Sequence, residues 1–168
     1  MPGTAMSNTR VCFVDTYVLR PGRAGLELLV LRRGPRGRCP GSWETVHGTI
    51  EPGETPVAAS LRELQEETGL VPERLYNLSR VEAFYLQHTD EVALIPAFGA
   101  LVAAAAEPRL STEHDRGEWL DPAAAARRFS WPRERRAVED IVTLLAGDAA
   151  GPGAAALDDV LRVTWGNR

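Results

Sequence analysis

The sequence contains no lysine, and this absence excludes several kinds of chemistry. All 19 lysine-or-arginine positions of the 168-residue chain are arginines. A Walker-type phosphate loop is excluded because it needs a lysine on the phosphates, and a Schiff base is excluded because it needs a lysine amine. Arginine stays protonated in proteins, so none of these side chains can remove a proton. Bound anions must therefore be held by arginine, backbone N–H groups or metal ions.

Cysteines are few, and long apolar runs and an excess of positive charge are absent. Cys12 and Cys39 are too few for a disulfide framework. The apolar stretch 98–106 is far shorter than the roughly 20 residues of a membrane-spanning helix, and no signal-peptide segment follows Met1. The net charge of −4 argues against general nucleic-acid binding. We therefore expect a cytoplasmic protein that binds neither nucleic acid nor a membrane.

The pattern of apolar and turn residues predicts one α/β domain, which the length also favours. Runs rich in β-branched and aromatic residues, bounded by glycine, proline and aspartate, are typical of strands. The predicted strands are 11–19, 26–32, 43–47, 78–87, 91–102 and 118–120, and the predicted helices begin at Pro56, Pro122 and Pro132. The domain is predicted over 11–147, between a flexible N-terminus (1–10) and a Gly/Ala-rich linker with a short tail (148–168).

The helix that begins at Pro56 has acidic residues on one face. Thr55 is suited to cap its first turn, and Gly69 is suited to end it. On a helical wheel, one arginine and three glutamates lie opposite the apolar face; they are Arg62, Glu63, Glu66 and Glu67. Arg62 and Glu66 are four residues apart, which suits an ion pair. The wheel alone is consistent with either a solvated acidic face or a divalent-cation site.

A longer motif surrounds this helix and favours the cation site. Residues 48–70 read GTIEPGETPVAASLRELQEETGL. This stretch resembles the Nudix box, GX5EX7REUXEEXGU with U a bulky aliphatic residue, at all nine fixed positions over 23 residues. On these residues the chain is identified as a member of the Nudix superfamily, and the resemblance extends over about 11–145.

The resemblance implies a fold, a reaction and a set of site residues. Nudix proteins have an α/β/α sandwich with a mixed β-sheet between helices, and they hydrolyse a nucleoside diphosphate linked to another moiety with Mg²⁺ or Mn²⁺. Carried over by position, the metal site comprises the backbone carbonyl of Gly48, the supporting Glu54, and Glu63, Glu66 and Glu67. Arg62 matches the arginine that orients these glutamates. The physical logic agrees, because metal ions neutralise phosphate oxygens and activate bound water.

The general base has more than one candidate. Family members use either a glutamate of the box or a glutamate from a loop outside it. Glu63 and Glu66 are the candidates inside the box, and Glu113 is the candidate outside it. Glu113 could also be a plain surface carboxylate, and the adjacent His114 could be a substrate contact or a base.

The residues that lead into the box indicate a substrate group. Many Nudix boxes follow Trp-x-x-Pro-Gly-Gly, whereas this chain has Trp43-Glu44-Thr45-Val46-His47-Gly48. That segment resembles dihydroneopterin triphosphate pyrophosphatases and their dATP-hydrolysing relatives. The resemblance implies a nucleoside or pterin triphosphate, with dinucleoside polyphosphates, ADP-ribose, nucleotide sugars or a non-catalytic nucleotide-binding role as alternatives. Family members are often dimers, so a homodimer is also expected, although nothing in the sequence locates its interface.

Three residues near this segment are predicted to bind substrate. Arg32 and Arg33 end the second predicted strand, and an arginine fork matches the geometry of phosphate oxygens. Trp43 could stack on a base. The alternatives are a solubilising basic loop for the arginines and a place in the core for Trp43.

Overall fold

The computed structural model describes residues 8–146 and 161–166, and it has one mixed β-sheet with helices on both faces. In chain order the elements are β1 (Asn8–Val11), β2 (Phe13–Gly22), β3 (Gly25–Arg33), β4 (Trp43–Glu44), β5 (Val46–Thr49), α1 (Pro56–Thr68), β6 (Arg74–Leu86), β7 (Glu91–Leu101), β8 (His114–Leu120), α2 (Pro122–Arg128), α3 (Pro132–Leu145) and β9 (Arg162–Val163). No helix among the described residues is long and apolar enough to cross a membrane.

Strand β2 lies in the middle of the sheet and organises its pairing. It runs parallel to β7, with Asp15 opposite Ala97. Its first half is antiparallel to β5, with Val14 opposite Gly48, and its last residues form a hairpin with β3. β3 in turn pairs with β4 and β8, and β7 pairs with β1 and β6. The residues before α1 are therefore held against the centre of the sheet.

The sheet separates two hydrophobic cores. On one face, α1 contributes Ala59 and Leu64 to a cluster that includes Val14 and Leu31. On the other face, α2 contributes Ala125 and α3 contributes Ile141 to a cluster around Tyr17, and Phe129, just after α2, belongs to the same cluster. These layers confirm the predicted α/β/α sandwich with a mixed sheet between helices.

Helix α1 has the boundaries that its capping residues predict. Thr55 accepts a hydrogen bond from the backbone N–H of Ala58, which satisfies one of the free donors of the first turn. Gly69 ends the helix with φ 68°, a left-handed conformation that glycine adopts without a steric penalty. The site residues between these caps are therefore on a helix with fixed ends.

The two termini differ from the predicted organisation. Residues 8–10, predicted as part of a flexible N-terminus, belong to β1, which pairs in parallel with residues 91–94 of β7. In the predicted C-terminal tail, residues 162–163 form β9 and pair with β6. Both pairings join positions far apart in the sequence, so local composition gave no sign of them. The linker prediction for 148–160 and the flexible segment 1–7 lie outside the described residues.

Candidate active site

Arg62, in the middle of α1, is the centre of a cluster of carboxylates. Its Nε and Nη2 atoms donate to the two carboxylate oxygens of Glu54, both at 2.9 Å. Its Nη1 atom donates to Glu63 at 2.9 Å and to Glu66 at 3.1 Å, and Nη2 also donates to the carbonyl of Thr49 at 2.8 Å. We call these five residues the Arg62 cluster. The Arg62–Glu66 pair predicted from the wheel is confirmed. Glu66 is one of the four residues to which Arg62 donates hydrogen bonds.

Hydrogen bonds within the Arg62 cluster stabilise the charged forms of its side chains. The hydrogen bonds from Arg62 hold the pKa of Glu54 below its ordinary value. The same bonds to Glu54, helped by Glu63, raise the pKa of the Arg62 guanidinium. A guanidinium that binds one carboxylate with two parallel bonds fixes its orientation as well as its charge. The cluster is therefore a positioned set of carboxylates rather than a solvated acidic face.

Gly48 is required for the position of Glu63. A Cβ atom at Gly48 would lie 2.0 Å from the carboxyl carbon of Glu63 and 2.3 Å from its Oε1 atom. Glu63 Oε1 also accepts a hydrogen bond from the backbone N–H of Thr49 at 3.1 Å. The side chain of Glu63 thus lies directly on strand β5, in space that only glycine leaves open.

Glu67 differs from the other glutamates of the box because it is buried. Its residue exposure is 3%, and its Oε2 atom has no hydrogen-bond partner within the part of the chain that the structure describes. Burial, together with the negative charges of Glu113, Glu63 and Glu44, raises its pKa well above the ordinary value, and Arg33 opposes this effect. The wheel placed Glu67 on the exposed face; it is covered because the chain before β8 bonds to the last turn of α1, with the N–H of Ser111 donating to the Glu67 carbonyl.

A buried line of charged groups leads away from Glu67. The His114 ring lies between two glutamates, with Nε2 at 3.2 Å from Glu44 Oε1 and Nδ1 at 3.7 Å from Glu67 Oε2. The longer distance is not a hydrogen bond, and Nδ1 is also without a partner among the described residues. Arg33 Nε lies 2.5 Å from the same oxygen of Glu44, and Arg33 Nη1 lies 3.6 Å from Glu113. His114 and Glu113 therefore belong to the same site as Glu67.

The structure places the three residues that were predicted to bind substrate in two different surroundings. Arg33 lines a cavity of about 460 Å³ beside the carboxylates. Arg32 instead pairs with Asp115 at 2.7 Å, and its guanidinium lies 5.9 Å from the ring of Trp43. Trp43 packs against the core on the α2/α3 side, with the Arg128 guanidinium 4.6 Å from its ring. Successive residues of a strand point to opposite faces, which is why two adjacent arginines have different surroundings.

Sequence reasoning missed a second group of charged residues that lies against this cavity. Asp15 is fully buried, and it accepts hydrogen bonds from Arg133 Nε at 2.9 Å and pairs with His47 Nδ1 at 2.7 Å. Burial alone would raise the pKa of Asp15, but the hydrogen bond from His47 and the charge of Arg133 outweigh burial and hold the pKa below its ordinary value. One signal was present, since Asp15 interrupts an apolar strand and a buried charge needs a partner.

Glu134, at the start of α3, is a further buried carboxylate behind this group. It accepts a hydrogen bond from the N–H of Thr45 at 2.8 Å, and burial raises its pKa well above the ordinary value. This hydrogen bond joins α3 to the residue between β4 and β5, and so holds the segment that carries Glu44 and His47. The other oxygen of Glu134, Oε2, has no hydrogen-bond partner among the described residues.

The donor set of this site suits a divalent cation, although the side chains do not converge on one point. Among the described residues, no three His, Cys, Asp or Glu side chains form a ready-made metal site, and Arg62 binds oxygens of Glu54, Glu63 and Glu66. The unpartnered, buried Glu67 oxygen and the oxygen-rich set of donors nonetheless fit Mg²⁺ or Mn²⁺, which prefer carboxylate ligands.

These features are those of the Nudix family, and the comparisons establish membership. The family model of the NUDIX domain matches residues 14–141, and the chain belongs to this family. A Myxococcus xanthus protein named "Octanoyltransferase" is 40% identical over 115 residues, which are 67% of this chain and 31% of that protein. The chain thus spans about a third of the length of that relative.

Solved structures show the same fold. A Caenorhabditis elegans Ap4A hydrolase in a binary complex has a TM-score of 0.65 at 19% identity, with coverage of 78% of this chain and 94% of that chain. The Escherichia coli dihydroneopterin triphosphate pyrophosphohydrolase has a TM-score of 0.60 at 24% identity, with coverage of 77% and 94%. At these identities the likeness concerns the fold alone.

Proposed function

We propose that the protein is a Mg²⁺- or Mn²⁺-dependent pyrophosphohydrolase that cleaves a phosphoanhydride bond of a nucleoside or pterin triphosphate or a related nucleoside diphosphate derivative. Family membership supports the reaction class, since the fold neighbours named above are hydrolases of phosphoanhydrides. The observation that carries the proposal is the buried, unpartnered carboxylate oxygen of Glu67 beside Glu63 and Glu113. A buried anion without a partner is costly, and a bound cation would compensate it.

The proposed role of each residue follows from its surroundings. We assign the metal ligands to Glu63, Glu66 and Glu67, with the Gly48 carbonyl, and the support to Glu54. When bound, the metal would neutralise phosphate oxygens and lower the pKa of the attacking water. Arg62 keeps Glu54, Glu63 and Glu66 in one orientation before substrate arrives, which reduces the reorganisation needed in the reaction.

The proton of the attacking water must go to a carboxylate or a histidine, because arginine cannot accept it. Glu63, Glu66 and Glu113 all remain candidates for this base. Unlike the other two, Glu113 has its carboxylate outside the Arg62 cluster. That carboxylate is 57% exposed and lies near Glu67. A carboxylate outside the Arg62 cluster can approach a water at the phosphate without breaking a hydrogen bond to Arg62.

The nucleoside or pterin triphosphate is the first substrate class to test. Two observations favour it: the Trp-x-x-Val-x-Gly segment that leads into the box, and the fold likeness to the E. coli dihydroneopterin triphosphate enzyme. The likeness to the C. elegans Ap4A hydrolase keeps dinucleoside polyphosphates in the test. Nothing in the site of this chain suggests octanoyl transfer, and that name belongs to a protein of which the matched residues form about a third.

The test is hydrolysis by the wild type and by Glu67→Gln with Mg²⁺ and with Mn²⁺. The panel contains the eight common nucleoside and deoxynucleoside triphosphates, dihydroneopterin triphosphate, Ap4A, ADP-ribose and a nucleotide sugar. We expect turnover of at least one compound by the wild type and a loss on the order of a thousandfold in Glu67→Gln, which corresponds to several kcal/mol of metal-dependent stabilisation. Pyrophosphate as product would identify cleavage between the α and β phosphates.

A matched control separates loss of chemistry from loss of fold. Glu73→Gln changes an exposed glutamate just outside the box, and its turnover should equal that of the wild type. If the wild type binds nucleotides but hydrolyses none of the panel, the hydrolase proposal is wrong and the non-catalytic binding role is favoured instead.

A further inference from the structure

The cavity beside the carboxylates has the composition of a binding site for a flat, polar ring. Its volume of about 460 Å³ is within the usual range for small-molecule sites, roughly 300–1,000 Å³. Two aromatic side chains, Phe84 and Trp131, line it, and Arg38 and Arg136 contribute positive charge. Arg33 and Glu44 also line it; through them it adjoins His114 and Glu67.

One side chain of the cavity wall, His47, is held from behind. Its Nδ1 atom lies 2.7 Å from Asp15, whose carboxylate is fully buried and is bound in turn by Arg133. An ionised carboxylate can only accept a hydrogen bond, so Nδ1 carries the proton. This arrangement fixes the tautomer and leaves Nε2 at the opposite edge of the ring, where in the neutral ring it is an acceptor.

The plane of the His47 ring is fixed as well. It stacks on Phe13 with ring centroids 5.3 Å apart, and Phe13 stacks on Phe84 at 5.8 Å. The His47 side chain is 8% exposed and lines the cavity. Its hydrogen bond to the described residues is made by Nδ1. Nε2 is therefore the ring nitrogen of this cavity residue that is left for a ligand.

We propose that His47 is a specificity-determining residue that accepts, at Nε2, a hydrogen bond from an N–H or amino group on the ring of a bound nucleobase or pterin. This inference rests on the proposed function, because it names the part of the substrate that is recognised. Phosphate oxygens are a poorer partner, since they are acceptors like Nε2, whereas the arginines of the cavity can donate to them. His47 also occupies a position where many boxes have glycine, which has no side chain to contact a ligand.

The variant that isolates this contact is His47→Asn. The amide nitrogen of asparagine can replace Nδ1 toward Asp15, but the side chain is too short to replace Nε2. His47→Gln is the conservative comparison, because its longer side chain can place a polar atom near the position of Nε2. His47→Phe removes both nitrogens and keeps the stack on Phe13, which protects the test if the asparagine variant folds poorly. His88→Asn, in the exposed turn between β6 and β7, is the matched control.

Binding is measured by calorimetry with Mg²⁺ and two kinds of probe. The α,β-methylene analogues of ATP, GTP, CTP and UTP have a ring, and methylenediphosphonate has none. The wild type should bind at least one nucleotide analogue more tightly than methylenediphosphonate. His47→Asn and His47→Phe should weaken that analogue about five- to tenfold, the loss expected for one hydrogen bond, and should leave methylenediphosphonate unchanged. His47→Gln should keep most of the affinity, and His88→Asn should keep all of it.

The opposite results would overturn the inference. Equal affinity of the wild type and His47→Asn for every analogue, or equal weakening of nucleotide and methylenediphosphonate, would show that His47 does not recognise the ring. Turnover of the nucleotide panel, measured in parallel, separates this failure from failure of the proposed function. If turnover is present and ring binding is insensitive to His47, only the inference fails. If the wild type neither turns over nor prefers any nucleotide, both fail.

Discussion

The carboxylates of α1 and of the turn before it have two different environments. Glu54, Glu63 and Glu66 share the guanidinium of Arg62, and the hydrogen bonds of Arg62 lie between 2.8 and 3.1 Å. Glu67, next to Glu66 in the chain, is buried, has an oxygen without a partner among the described residues, and is 3.7 Å from a histidine nitrogen in the same condition. The first three carboxylates accept hydrogen bonds from an arginine, whereas Glu67 Oε2 accepts none from the described residues.

Within one motif, some carboxylates are therefore oriented by Arg62, whereas Glu67 is available to bind a cation. The Arg62 cluster pairs three carboxylates with one cation, which fixes their geometry but leaves each of them less available to a metal. Glu67 has no such competitor, so a cation can bind it without displacing a protein group. Breaking the Arg62 cluster should therefore disturb geometry, and changing Glu67 should alter the charge that a metal compensates.

The largest disturbance of geometry should come from Gly48→Ala. The added Cβ would lie 2.0 Å from the Glu63 carboxyl carbon, so Glu63 must leave its place on β5 and its contact with Arg62. We expect a loss of turnover on the order of a hundredfold, the effect of a displacement near 1 Å at a reacting centre. Steady-state kinetics on the best substrate of the panel would measure it.

Gly117→Ala is the control for this variant. Gly117 is also in a strand, but its Cβ would meet only leucine methyl groups at 3.4 Å or more, which is ordinary contact. It should keep wild-type turnover within about twofold. Equal losses in Gly48→Ala and Gly117→Ala would mean that strand packing, and not the position of Glu63, determines the activity.

A smaller disturbance is expected from Arg62→Lys. Lysine keeps the charge, but it cannot form the two parallel bonds to Glu54 while also reaching Glu63 and Glu66. We expect kcat/KM and Mg²⁺ affinity to fall about tenfold, as is usual when a group that orients metal ligands is lost. Arg10→Lys is the control, because Arg10 is 61% exposed and pairs with Glu91 on the surface of the sheet. An Arg62→Lys variant with unchanged Mg²⁺ affinity would show that charge alone suffices.

The sequence predicted the Arg62 cluster better than it predicted the surroundings of Glu67. The cluster consists of residues of one helix and the segment before it. Helical periodicity therefore predicts which of these side chains are neighbours. The cover over Glu67 comes from the chain around residues 111–114, more than 40 positions away. No helical wheel contains that contact, which is why the wheel placed Glu67 on an exposed face.

The same limit explains the cavity residues. His47 was visible as a departure from the usual residues before the box, but its partner Asp15 belongs to another strand and Arg133 to a helix 118 residues from Asp15. Arg32 and Arg33 were both predicted to bind substrate because they lie at the end of a strand, before the Trp43 segment. Adjacent strand residues face opposite sides, and only the pairing of β3 with β4 and β8 decides which side is the cavity.

The smallest effect, and the one that reports on the buried carboxylate of Glu67, is on stability. The pKa of Glu67 is higher in the folded protein than its ordinary value, because burial and nearby negative charges disfavour ionisation. The folded state therefore binds more protons than the unfolded state between these two pKa values. Its stabilising contribution is present below the unfolded value and is lost as pH rises through the folded value. In the metal-free protein, Glu67→Gln should remove this pH-dependent loss of stability, because glutamine does not ionise.

We therefore expect metal-free Glu67→Gln to melt about 2–4 °C above the wild type at pH 8, with a smaller difference at pH 5, since about 1 kcal/mol shifts Tm by that amount in a domain of this size. Saturating Mg²⁺ should reverse the order, because it stabilises only the protein that binds it well. Glu66→Gln, whose side chain is 59% exposed, should show no comparable pH-dependent gain. If Glu67→Gln and Glu66→Gln melted alike at both pH values with chelator present, the burial of Glu67 would not be what distinguishes it from the carboxylates bound by Arg62.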